Sequence, residues 1–206
     1  MQSFHKVTRI LRGKTEKRKN KIISVIQARQ KSLHVVIENI HDPHNVSAIF
    51  RTCDSVGVGK VSLVYNIEKF PKIGKKSSAS AYKWIEREKF KIIKDCIASL
   101  KQDGYKIFVS SINPYSKIIY DLDLTQKAAL VFGNEHRGVS KEAEEIADEK
   151  FIVPMYGMVQ SLNVSVAAAV VLYEALRQRK IKGMYDKSEY SEDELEMRIK
   201  DWTLNK

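Results

Sequence analysis

Five polar side chains sit where loops run into helices, and their types limit the chemistry open to this chain. Asn45 and Arg51 lie in HDPHNVSAIFRTCDSVGVG (41–59), Glu135 in VFGNEHRGVS (131–140), and Ser161 and Asn163 in VPMYGMVQSLNVSVAAAVVLYEALRQR (153–179). A guanidinium is a permanent cation with a planar fork suited to phosphate, an amide both donates and accepts, and a carboxylate accepts. Together they are equipped to bind and orient a ligand at a loop-to-helix junction. The set does not suggest covalent hydrolysis, because the chain has no Gly-x-Ser-x-Gly elbow and neither Cys53 nor Cys96 has a reactive-looking setting.

Each residue also has an ordinary structural reading. Asn45 falls in the first turn of a helix and could serve as a cap. Arg51 falls roughly 140° from Val46 at about 100° per residue, away from the apolar stripe, where Asp54 one turn on could pair with it. Glu135 offers an acceptor to a ligand or to a neighbouring helix. The glycines of GNEHRG allow close backbone approach, but the segment lacks the lysine of a phosphate-binding Walker loop and the spacing of a dinucleotide fingerprint. His41 and His44 flank a proline with no third ligand in view, so no metal site is expected. In the third segment Asn163 or Ser161 can cap a helix whose Ala167, Ala168 and Ala169 leave room for another backbone.

The elements that must position these groups alternate between strand and helix. Strands are expected at 33–38, 61–65, 105–110, 128–132 and 151–154, and helices at 43–56, 91–102, 140–147 and 163–180. Asp42 and Pro43 start the first of these helices, Gly57 ends it, and Val46, Ile49, Phe50, Cys53 and Val56 form its buried stripe. Such alternation predicts an α/β fold, a parallel-rich sheet covered by helices, with ligands bound where strands end and helices begin. Residues 67–84 read as a long polar, basic loop able to close on a phosphate backbone. Residues 15–31 read as an amphipathic helix with a charged outer face, and the acidic, weakly helical end past Lys182 as an appendage without a core of its own. The organisation is then a basic arm (1–31), a main domain (32–182) and a C-terminal extension (183–206).

At 206 residues and 43% hydrophobic content, one main core is the default. The net charge is +11, and residues 1–31 hold ten Lys or Arg against one acid, Glu16. Clustered positive charge favours a polyanionic partner, through release of condensed counterions, or an anionic membrane surface. Two cysteines without metal-like spacing fit a reducing compartment. The absence of a signal-type leader, and an apolar run (164–172) too short to span a bilayer, predict a soluble cytoplasmic protein.

Taken in order, the three segments resemble the three motifs of the SPOUT superfamily of RNA methyltransferases, in its TrmH branch, over nearly the whole of 33–182. The opening IHDPHN, the ending RQRKIKGMY and the two appended ends look like the members that methylate guanosine-18 in the D-loop of tRNA. The resemblance implies a SPOUT fold with a deep C-terminal trefoil knot, a homodimer, and S-adenosylmethionine as methyl donor to a ribose 2′-hydroxyl. It implies further that backbone at Gly133, Val153 and Leu162, with Ser111, holds the cofactor, and that Arg51, Asn45, Glu135, Ser161 and Asn163 form the catalytic site. Phosphate contacts with tRNA are expected from Lys17, Arg18, Lys19, Lys72, Lys75, Lys76, Arg177, Arg179 and Lys182. The competing expectations are the same chemistry on another tRNA position or on ribosomal RNA, and a basic RNA-binding module without catalysis.

Overall fold

A computed structural model describes residues 15–72 and 81–204. The described residues form one parallel sheet of seven strands in the order β3-β2-β1-β6-β4-β7-β5. Its strands are β1 (Gln30–Glu38), β2 (Val58–Val64), β3 (Glu86–Phe90), β4 (Lys106–Ser110), β5 (Lys117–Ile118), β6 (Ala128–Phe132) and β7 (Glu149–Ile152). The helices are α1 (Glu16–Gln27), α2 (Pro43–Val56), α3 (Ala81–Trp84), α4 (Ile93–Gln102), α5 (Lys141–Ile146), α6 (Val164–Ile181) and α7 (Glu192–Leu204).

Helices cover both faces, which is why the central strands read as almost unbroken apolar runs. Leu33, Val35 and Ile37 of β1 face Val46, Ile49, Phe50, Cys53 and Val56 of α2 and Ala168, Val171, Leu172 and Ala175 of α6. Val36, with Ile107, Val109, Ala129 and Val131, faces Ile93, Cys96, Ile97 and Leu100 of α4 and Ala143 of α5. Helix α2 starts and stops as its sequence predicts. The Asp42 side chain accepts from the His44 N–H, and Gly57 closes the helix in the left-handed region at φ 79°. A side chain there would also meet the Ala28 carbonyl oxygen at 2.9 Å. Burial pushes the Cys96 thiol up to about 12 and the Cys53 thiol higher still, so both stay protonated.

Four expectations are corrected. Helix α1 ends at Gln27, short of residue 31, because Arg29 is drawn into the fold: its guanidinium pairs with Asp54 and donates to the Val58 and Trp84 carbonyls. The loop placed at 67–84 ends in the helical turn α3. Strand β3, which had no expected counterpart, carries Arg87 and Lys89 on an edge where charge discourages pairing with other chains, and this composition hid it. The C-terminal extension also shares a core, in which Ile199 and Trp202 of α7 pack with Ile22 and Ile26 of α1, and the Trp84 and Trp202 rings lie 4.8 Å apart.

The fourth correction concerns Arg179, expected on a phosphate. It is fully buried in α6. Its guanidinium donates to the carbonyls of Leu124 (2.9 Å), Ser32 (3.1 Å) and Gln126 (2.8 Å), and to Gln30 Oε1 (3.2 Å) and Ser32 Oγ (2.8 Å). Arg179 thus joins the starts of β1 and β6 to the last turn of α6. Truncation would leave these acceptors buried and unpaired, so Arg179→Ala is expected to cost about 3 to 5 kcal/mol. Denaturant unfolding checks this, and a loss under about 1 kcal/mol would show that the acceptors find other partners.

Candidate active site

Asn45, Glu135 and Asn163, one from each of the three segments, meet above the carboxyl ends of β1 and β6. Glu135 Oε2 accepts from the His41 N–H, while Oε1 accepts from the Asp42 N–H, both at 3.0 Å, and from Asn45 Nδ2 at 2.9 Å. Asn45 Oδ1 in turn accepts from Asn163 Nδ2 at 3.0 Å. Asn163 then caps α6, its Oδ1 accepting from the backbone N–H groups of Ser165 and Val166. One chain of hydrogen bonds, Glu135 to Asn45 to Asn163, therefore ties together loops from three distant parts of the sequence.

This arrangement specifies what Glu135 can do. Partial burial works to raise its pKa, but hydrogen bonds from the Asn45 amide and the His41 and Asp42 backbone outweigh it and hold the carboxyl below its ordinary value. Glu135 is therefore an anion whose oxygens are engaged by three donors, placed to hold loops together rather than to take a proton. Asn45 is a buried linker whose amide bonds both partners.

Two asparagines unremarked in the sequence fix the surrounding backbone. Asn39 adopts φ 51°, and its Oδ1 accepts from the N–H groups of Asn66, Ile67 and Glu68, which pins the segment after β2. Asn134 donates from Nδ2 to the Asn39 carbonyl and accepts at Oδ1 from the His136 and Arg137 N–H groups. Asn134 and Gly138 also exchange backbone hydrogen bonds at 2.9 and 2.8 Å. This brings Gly133 so close to Gly138 that a Cβ at 133 would sit 2.2 Å from its carbonyl, so only glycine fits. The signal available in the sequence was asparagine's tolerance of positive φ and its capacity for local turns.

Beside this cluster lies a cavity of about 350 Å³ at the ends of β4, β6 and β7. All four residues expected to hold a cofactor line it: Ser111, Gly133, Val153 and Leu162. Glu135 and Ser161 line it too, and the last is exposed. Asn45, Asn163 and Arg51 are not part of its wall. Arg51 is exposed on α2, and its side chain makes no hydrogen bond or ion pair with any described residue. The surface pairing of Arg51 with Asp54 does not form, because Arg29 takes Asp54.

Of the expected phosphate contacts, Lys17, Arg18, Lys72, Arg177 and Lys182 are exposed, and Lys19 is half-buried and pairs with Glu16. Arg177 pairs with Glu174, and Lys182 donates to Thr125 Oγ1. Lys75 and Lys76 lie outside the described residues. Among the described residues no cluster of His, Cys, Asp or Glu is placed to hold a metal ion, and no helix is long and apolar enough to cross a membrane.

A parallel α/β sheet with a cavity over its carboxyl ends, walled by the second and third segments, defines the class. The SpoU rRNA Methylase family model matches residues 32–173, and the chain belongs to that family. A tRNA (guanosine(18)-2′-O)-methyltransferase of Aquifex aeolicus is 42% identical over 187 residues, covering 91% of this chain and 89% of the relative. The corresponding enzyme of Thermus thermophilus is 39% identical over 192 residues, covering 93% and 98%. Among solved structures, the A. aeolicus TrmH/SpoU tRNA modifying enzyme matches with a TM-score of 0.86 at 41% identity, over 91% of this chain and 95% of its own. The SpoU methyltransferase AviRb of Streptomyces viridochromogenes, solved in complex with AdoMet, matches in fold with a TM-score of 0.66 at 23% identity, over 75% and 60%.

The lowered pKa of Glu135 has a consequence for stability. A carboxyl whose pKa is lower folded than unfolded stabilises the protein above its unfolded value, near 4.5, and that contribution fades as pH falls through the folded value. Glu135→Gln is expected to cost roughly 1 kcal/mol at neutral pH, allowing for solvent screening. The difference from the unmodified protein should shrink on acidification below the ordinary carboxylate range. Unfolding curves across pH check this, and a pH-independent difference would refute the charge-based account.

Proposed function

We propose that this chain transfers a methyl group from S-adenosylmethionine to the ribose 2′-hydroxyl of guanosine-18 in the D-loop of tRNA, in the cytoplasm. The observation that carries this reading is that relatives bearing that activity align over more than nine-tenths of the chain. The cavity fits the proposed cofactor. Its volume lies in the range of small-molecule sites, Leu162, Val164, Ala167 and Met155 offer an apolar wall, and Ser111 and Glu144 offer polar groups. When bound, adenosylmethionine supplies an electrophilic methyl on a sulfonium.

The chain's own residues then divide the remaining work. Glu135, Asn45 and Asn163 hold the loops in register, which fixes the backbone at Gly133 and Leu162. Arg51, with its guanidinium unpaired among the described residues, orients the substrate phosphate and ribose and stabilises charge developing on the 2′-oxygen. A guanidinium keeps its proton at ordinary pH, and Glu135 is engaged by three donors, so the hydroxyl proton passes to a group brought by the substrate or to solvent.

Exposed cations on α1 (Lys17, Arg18), at Lys72 and near the end of α6 (Arg177, Lys182) hold tRNA phosphates, with Lys75 and Lys76 continuing the set. The chain works as a homodimer, a reading supported by the exposed Val166 and Tyr173 on α6 and by Tyr156 and Met158 in the loop before it, 96% and 100% exposed.

Methylation of tRNA transcripts with and without guanosine at position 18, followed by mapping of the modified ribose, tests the assignment. Modification is expected only where the guanosine is present, and modification elsewhere or none would overturn it. Arg51→Lys is expected to lower kcat at least ten-fold, since an ammonium lacks the planar fork, and near-normal turnover would refute the role given to it. Changing Lys17, Arg18, Arg177 and Lys182 to Gln together should weaken tRNA binding and flatten its salt dependence, by about 0.9 in logarithmic slope per lost phosphate contact. Cofactor affinity should be unchanged, and an equal loss of both would refute this division of labour.

A further inference from the structure

Glu144 has no part in the hydrogen-bond chain that joins the three loops, yet it lines the cavity. It enters from α5, which covers the opposite face of the sheet from α2 and α6. Ser111 Oγ donates to its Oε1 at 2.6 Å, and its second carboxylate oxygen has no partner among the described residues. The other carboxylate in the cavity wall, Glu135, has both oxygens engaged. Glu144 therefore carries the open carboxylate oxygen of this wall among the described residues.

The pair is held firmly. The Ser111 N–H donates to the Phe151 carbonyl at 3.0 Å, and the Ser111 carbonyl accepts from Ser116 Oγ at 2.7 Å. Ser111 itself is 6% exposed. Because its hydroxyl proton is committed to Glu144, Ser111 Oγ presents lone pairs to the cavity beside the open carboxylate oxygen. Two adjacent acceptors of this kind match a vicinal diol, whose two hydroxyls each need one.

Position favours the same reading. Ser111 follows β4, two strands from β1 and so roughly 10 Å away at ordinary sheet spacing. The proposed function places the reaction beside Arg51, Asn45 and Asn163, on the side of α2 and α6. Ser111 and Glu144 therefore meet a part of the cofactor away from the reaction.

Resting on the methyltransferase reading above, we propose that Ser111 and Glu144 bind the adenosine ribose of the cofactor, accepting hydrogen bonds from its 2′- and 3′-hydroxyls. Neither residue touches the reacting atoms, and both act through cofactor affinity.

Calorimetric titration of the full chain with adenosylmethionine, adenosylhomocysteine and methylthioadenosine tests this, since the last keeps the ribose but lacks both the amino-acid portion and the sulfonium. Glu144→Gln and Ser111→Ala are expected to weaken all three ligands by the same factor, roughly ten-fold. Weakening confined to the two amino-acid-bearing ligands would assign Glu144 to the ammonium and overturn the proposal. Weakening of adenosylmethionine alone would assign it to the sulfonium charge and also overturn it, as would no weakening at all. With the unmodified chain, methylthioadenosine lacking both ribose hydroxyls should bind more weakly by a similar factor, a measurement that stands even if a variant fails to fold. If the unmodified chain binds none of the three natural ligands, the methyltransferase reading has failed, a result distinct from failure of the ribose assignment.

Discussion

The site depends on one carboxylate. Glu135 receives three hydrogen bonds from the loop and first turn that follow β1, and through Asn45 that hold extends to Asn163 at the start of α6. Charge-assisted hydrogen bonds are among the stronger polar contacts, and a network in which each member is satisfied imposes one geometry. Without it, the loop after β1 would have only backbone packing to set its relation to loops 94 and 118 residues away along the chain. The cavity is walled by the backbone of two of these loops, so its shape inherits the precision of the chain.

Around that anchor, restricted backbone conformations fix what side-chain contacts alone would leave loose. Asn39 holds the segment after β2 with one side-chain oxygen, and Asn134 closes the turn that brings Gly133 against Gly138. Glycine is required at 133 because the neighbouring strand of the turn occupies the space a Cβ would take. Local strain and polar satisfaction are thus concentrated in the loops, while the sheet beneath is an apolar scaffold closed on both faces.

Positive charge is divided between two jobs. Arg29 and Arg179 are buried, where a planar, many-donor guanidinium satisfies carbonyls that water cannot reach. Lys17, Arg18, Arg177 and Lys182 stay at the surface, where the proposed function has them meet tRNA phosphates. Helices α1 and α7 pack on one another through a small apolar core that Trp84 also joins, which seats α1 on the fold.

What the residues determined on their own was local. The caps of α2, the apolar periodicity of the strands, the glycines of the second segment and the presence of Asn45, Arg51, Glu135, Ser161 and Asn163 in three recognisable motifs follow from dihedral preference, hydrophobic pattern and spacing along the chain. The same reasoning missed β3, whose charged edge lacks an apolar signature, and misplaced Arg179, because a composition count cannot tell a solvated guanidinium from one enclosed by carbonyls. Tertiary structure alone decided that Glu135 and Asn45 are linkers, that Asp54 belongs to Arg29 and leaves Arg51 open, and that Glu144 faces the cavity. Each of those outcomes is a competition between partners far apart in sequence, and only the folded chain brings the competitors within hydrogen-bonding distance.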